Sequence, residues 1–168
     1  APVLRDSFGV ADTTPAQVPD TFSFRFSKDT LDAEVVYEAA DSGVLLIREK
    51  KFLLYGNTKT TYKDVTLTAP QVEFDQASNI LMAVRSVDSL GNTLTRAHFQ
   101  QGQQNFQSDT IRFNFKTQKG ITTNTYTQQG QGMFVQGEQI KKVDNNVAYI
   151  KGLVMTTCEY DHPHFGFR

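Results

Sequence analysis

The chain has 168 residues, a net charge of −1 and an apolar fraction of 39%. That composition fits one folded domain with a sizeable core and excludes an acidic disordered chain or a basic nucleic-acid binder. One cysteine excludes an internal disulfide, no apolar run nears the ~18 residues of a membrane-spanning helix, and no signal-peptide pattern is visible.

Residues 1–20, APVLRDSFGVADTTPAQVPD, carry Pro2, Pro15 and Pro19 without periodicity and read as a flexible, solvated lead-in. From residue 21 onward alternation replaces helical periodicity. TFSFRFSK sets Phe22, Phe24 and Phe26 opposite Ser23, Arg25 and Ser27. AEVVYEA aligns Ala33, Val35 and Tyr37; DVTLTA aligns Val65, Leu67 and Ala69; QVEF aligns Val72 and Phe74. TIRFNFK aligns Ile111, Phe113 and Phe115 opposite Arg112, Asn114 and Lys116. Turn signals punctuate these runs at DSG (41–43), REKK (48–51), GN (56–57), YKD (62–64), SLGN (89–92) and DNN (144–146). Many short strands with one apolar face imply an all-β antiparallel sandwich, barrel or jelly roll, with helix possible only in the lead-in or a loop. The chain stops at HFGFR in an apparent strand, and is expected to be a piece of a longer protein.

Two loose repeats run through the pattern. LTAPQVEFD from Leu67 recurs as FQSDTIRFN from Phe106, and LDAEVVYEA from Leu31 resembles both with one residue fewer after Ala33. LLYGNTK (53–59) recurs as FVQGEQI (134–140). The physical reading is a stack of similar β-units, with Gly56 and Gly137 at bends where a Cβ would crowd the next unit.

TTCEYDHPHF near the end concentrates the chemistry-bearing residues: Cys158, Glu159, Asp161, His162 and His164. A structural zinc site takes four Cys or His ligands, and this stretch has three. A Cys–His nucleophile needs an orienting group and an oxyanion pocket, and no other motif supplies them. A free thiol, a ligand and half of an external disulfide remain open for Cys158. His98 stands alone. Lys50–Lys51 and Lys141–Lys142 form pairs suited to phosphates, although lysine pairs are ordinarily solvated turns.

VVYEAADSG, LLYGNTKTTYKDVTLTAPQVEFD, NFKTQKGITTNTYTQQGQG and TTCEYDHPHF, in this order, resemble the N-terminal periplasmic (OstA-like) domain of the LptD lipopolysaccharide-assembly outer-membrane protein family. The likeness runs from about Asp29 to the end. It implies a jelly roll of bent antiparallel strands over residues 21–168, open in a V, with an apolar inside. It also implies a non-enzymatic role at the periplasmic face of the outer membrane. Lipopolysaccharide would arrive from an LptA-like bridge protein joined by edge-strand addition. It would leave to the same protein's C-terminal β-barrel, with an LptE-like plug lipoprotein as partner. Strand 22–26 is the candidate first edge. The resemblance further implies that Cys158 pairs by disulfide with a cysteine near the barrel. No cofactor, metal, catalytic residue or nucleic acid enters this reading.

The candidate lipid-binding groove is the inward set Val35, Tyr37, Leu67, Val72, Phe74, Ile111, Phe113 and Phe115. A lining of this kind lets acyl chains slide among many equivalent positions, each buried CH₂ gaining about 0.8 kcal/mol. Inward apolar residues on strands are ordinarily plain core. The competing readings are a protein- or glycan-binding β-sandwich with a closed core and an enzyme built on residues 158–164. An open apolar interior separates the first reading from the second.

Overall fold

The computed structural model describes residues 32–130, 132–144, 147–158 and 164–167. Among these residues no helix occurs. Strand β1 (Val35–Glu38) precedes β2 (Ser42–Leu46), and two long strands, β3 (Lys51–Tyr62) and β4 (Val65–Asp75), form a hairpin closed by Lys63 and Asp64. Then come β5 (Ile80–Val84), a two-stranded ribbon of β6 (Ser86–Val87) and β7 (Thr93–Thr95), then β8 (Ala97–Gln101), β9 (Gln104–Ser108) and β10 (Thr110–Asn114). A second long hairpin, β11 (Lys119–Gln129) and β12 (Met133–Lys142), leads to β13 (Ala148–Lys151) and β14 (Val154–Thr156).

The four long strands each change partners halfway along. β3 pairs with β2 through residues 51–55 and with β1 through 59–62. β4 pairs with β8 through 65–68 and with β5 through 71–75. β11 pairs with β10 up to Thr123 and with β9 at Tyr126, while β12 pairs with β14 at 134–136 and with β13 at 139–142. The sheet thereby folds into two layers. Layer I runs β1-β3-β4-β8-β9-β11-β12-β14 and layer II runs β2-β3-β4-β5-β10-β11-β12-β13. Rings meet between them: Tyr37 against Phe52 at 5.5 Å, Tyr62 against Phe115 at 4.8 Å, and Phe99 against Phe113 at 5.6 Å between centroids. The result is an antiparallel β-jelly roll of bent strands.

Local sequence sets each bend. In β3 the register against β4 slips by one residue between Tyr55 and Thr58, a bulge carried by Gly56 (φ 75°) and Asn57 (φ 43°). The GN signal expected as a turn is therefore a crease inside one long strand. Val65–Ala69 and Val72–Phe74, read as separate runs, are one strand whose inward phase changes at Pro70. Pro70 faces the β3 bulge on one side and the gap between β8 and β5 on the other, so its missing N–H breaks no ladder bond. In β11 the bend is at Asn124 (φ 47°). At Gly137 of β12 a Cβ would lie 2.9 Å from Ile150 Cγ2.

The Leu67 and Phe106 repeats occupy equivalent places. Ala69–Pro70 and Ser108–Asp109 both mark the passage from layer I to layer II, and Val72 and Phe74 match Ile111 and Phe113. The third copy does not align. Val35 and Tyr37 lie in layer I, and that unit crosses at Ala39–Asp41. Alternation specifies the inward face of a strand and is blind to which layer holds it. The candidate edge strand 22–26 lies outside the described residues.

Candidate functional site

In antiparallel pairs, facing residues point the same way, so the ladders define rows across each layer. On the inner face of layer I one row is Tyr37, Thr60, Leu67, Phe99, Phe106. Gln107 pairs with Tyr126, which sets Phe106 beside Thr127, and the row continues through Val135 and Met155 to Phe167. On the inner face of layer II one row is Leu54, Val72, Ala83, Ile111, Thr122, Ile140, Ile150. Beside it runs Phe52, Phe74, Leu81, Phe113, Gly120, Lys142, Ala148.

Burial falls along all three rows in the same direction. Residues on β1, β3, β4, β5 and β10 are buried. Val135, Met155 and Ile140 are half-buried, Ile150 is 39% exposed and Phe167 is 85% exposed. The layers pack as a closed core on the first side and part on the second. Where they part, a cavity of about 280 Å³ opens, walled by Phe99 and Phe106 of layer I and by Ile111, Phe113, Ile140 and Ile150 of layer II. Its size lies near the lower end for small-molecule pockets, ~300–1,000 Å³. Thr122 and Thr125 floor it, their hydroxyls 2.5 Å apart, and Ser108 donates to Thr125 Oγ1 at 2.9 Å. Lys142 Nζ reaches across the rim to donate to Gln101 Oε1 at 3.0 Å. A second, almost wholly apolar depression lies at the β14 edge between Met133, Met155, Phe165 and Phe167.

No family model matches the sequence, and no curated protein matches it significantly. Among solved structures the chain is similar to LptH of Pseudomonas aeruginosa, the LptA-homologous periplasmic component of a lipopolysaccharide transport device. The TM-score is 0.55 at 16% identity, over 69% of this chain and 80% of that one. The chain has the LptA-like fold.

All eight residues expected to line the groove point into the interior of this LptA-like fold, and all are buried. They divide by position. Ile111 and Phe113 wall the cavity. Tyr37, Val72, Phe74 and Phe115 lie in the packed half, where Tyr37 meets Phe74 at 5.7 Å and Phe115 meets Phe74 at 5.8 Å. Burial pushes the Tyr37 phenol far above its ordinary pKa. Phe99, Phe106, Ile140 and Ile150 were missed. AHFQ and GEQIK are too polar to read as lining, and only the pairing to Leu67 and Thr122 turns Phe99 and Ile140 inward.

The lysine pairs lie at the same end of layer II on strands five places apart, about 24 Å at the ~4.8 Å spacing of strands, so they form no single patch. Lys51 Nζ pairs with Glu73 at 2.7 Å, and that hydrogen bond and charge raise its pKa. Cys158 is half-buried and free, with Sγ 3.9 Å from His164 Nδ1, and its amide donates to Thr156 Oγ1 at 3.0 Å. Glu159, Asp161 and His162 lie outside the described residues. His98 Nε2 is 2.5 Å from Asn105 Oδ1, a satisfied cross-strand pair.

Proposed function

We propose that this chain is a non-enzymatic lipid-transport domain that holds lipopolysaccharide by its acyl chains between the two layers. The observation that carries the reading is the burial gradient. Three inner rows begin as packed core and end half-buried or exposed, the two layer II rows at the open cavity and the layer I row at the apolar depression of the β14 edge. A binding module with a closed core has no use for such an opening, whereas a carrier needs one to admit and release chains. Phe99, Phe106, Ile111, Phe113, Ile140 and Ile150 offer hydrocarbon contact that holds chains without fixing their position, beside polar lining residues that include Thr122, Thr125 and Lys142. The shared fold with LptH supports the cargo class.

The finer reading extends the same proposal. Residues 1–20 serve as a lead-in and 21–168 as the OstA-like domain of a longer, LptD-type protein at the periplasmic face of the outer membrane. An LptA-like bridge protein adds a strand at one edge. The β14 edge, with Met155 and Phe167 exposing the end of the apolar row, delivers cargo toward a C-terminal β-barrel plugged by an LptE-like lipoprotein. Cys158 then tethers the domain to that barrel.

Photo-crosslinking residues at Phe106 and Ile150 of the intact protein in cells test the reading. Capture of lipopolysaccharide at both, with none at Phe74 in the packed half, is the expected result. Capture at neither open-end position removes the proposal.

A further inference from the structure

Asp109 stands where the chain passes from β9 in layer I to β10 in layer II, at the place Pro70 holds in the matching repeat. It is 6% exposed. Its carboxylate accepts from Arg85 Nη1, from Arg96 Nε at 3.2 Å and from Asn124 Nδ2 at 2.8 Å. Its amide donates to Thr123 O at 3.0 Å, and its carbonyl accepts from Arg85 N at 2.8 Å. Each partner is itself at a crossing. Arg85 follows β5 as the chain leaves layer II, Arg96 precedes β8 as it enters layer I, and Asn124 is the bend of β11. One buried carboxylate therefore ties three neighbouring folds of the crease. Arg85 Nη1 also donates to Thr93 Oγ1 at 3.0 Å, which brings the β6–β7 ribbon into the same knot.

Thr125, next in sequence to Asn124, lies on the cavity floor. Ser108, next to Asp109, is fully buried and hydrogen-bonded to Thr125. The knot and the groove floor are thus two sides of the same bend. We propose that Asp109 is the positioning residue of the groove: by gathering Arg85, Arg96 and Asn124 and placing a negative charge between the two guanidiniums it sets the angle between the layers and so the width of the cavity. Without its charge the two guanidiniums face each other and repel across the crease.

Spin labels on Gln100→Cys of layer I and Lys141→Cys of layer II, both exposed on outer faces, report that angle in the whole 168-residue chain with Cys158→Ser. A turn of about 10° at the crease moves the end of a half-strand of ~17 Å by about 3 Å. Asp109→Asn is expected to lengthen the mean label distance by about that much and broaden its distribution. Adding Arg96→Gln removes the repulsion and is expected to bring the distance back toward the parent, which a merely weakened fold would not do. An unchanged distribution in Asp109→Asn, or further opening in the double variant, overturns the proposal. If Asp109→Asn does not fold, Asn124→Ala, which leaves both ion pairs in place, is expected to broaden the distribution; an unchanged one again overturns it. A binding arm rests on the transport reading above: cis-parinaric acid is expected to bind Asp109→Asn at least threefold differently from the parent. A changed distance with unchanged binding supports the clamp and counts against the groove as a lipid site.

Discussion

Truncating one side chain at each end of the layer II rows separates core from lining. Phe74 is 2% exposed and touches the rings of Tyr37 and Phe115. Phe74→Ala leaves a cavity with close-packed walls, and the cost for such a change is about 3–5 kcal/mol. Ile150 is 39% exposed and borders space already open. Ile150→Ala removes three carbons worth about 2.4 kcal/mol if fully buried, and about 1.5 kcal/mol at this exposure. For a domain of this size the melting temperatures should fall by about 10 °C for Phe74→Ala and by about 3–6 °C for Ile150→Ala. Far-UV circular dichroism on heating and in urea reads both, since the chain has no tryptophan. Lipopolysaccharide capture should follow the opposite order: Ile150→Ala, still folded, loses more capture at Phe106 than its stability loss explains. Equal destabilisation at the two positions would mean that the layers are packed throughout, and the argument from the burial gradient would fail.

Gly56→Ala places a Cβ 2.5 Å from that of Asp41 at φ +75°, whereas Gly91→Ala, at φ +87°, meets open space. Gly91→Ala should cost about 1 kcal/mol from backbone strain alone and Gly56→Ala clearly more, by urea denaturation. The raised pKa of Tyr37 means that its protonated form is favoured by folding. Its contribution is therefore complete below the unfolded phenol value of about 10 and is lost as pH rises above it. Tyr37→Phe should flatten the decline of stability between about pH 10 and 12, while an unchanged slope would contradict the assignment to Tyr37. The Asn92 side chain and amide, with burial opposing and the Leu90 and Gly91 amides adding, hold Asp88 below the usual carboxylate pKa. The turn of the β6–β7 ribbon should keep its structure above about pH 4 and loosen as pH falls through the lowered value, seen as coincident NMR shifts of Asp88 and the Leu90 amide. In the intact protein, Cys158→Ser should change mobility on a non-reducing gel, and no change would remove the proposed disulfide tether.

Alternation is a local property, and it was enough to turn all eight expected residues inward. Val35, Tyr37, Leu67, Val72, Phe74, Ile111, Phe113 and Phe115 are buried because period-2 patterning leaves an antiparallel strand one apolar face. The all-β class was legible for the same local reason, and the crowded bends at Gly56 and Gly137 were legible from the repeat they share, although the atoms that crowd them belong to Asp41 and Ile150. The GN pair read both as a turn signal and, at Gly56, as a bend, since a bulge and a turn use the same residues; that the strand runs on through it was not legible. Which layer a residue joins depends on partners far away in sequence, as the misaligned copy at Val35 and Tyr37 demonstrates. Only the tertiary structure decided that Phe74 is core while Ile150 borders open space. Both are apolar and face inward, and they differ in how close the opposite layer comes. That spacing is set at the crease, by Asp109, Arg85, Arg96 and Asn124, residues with no apolar pattern to reveal them.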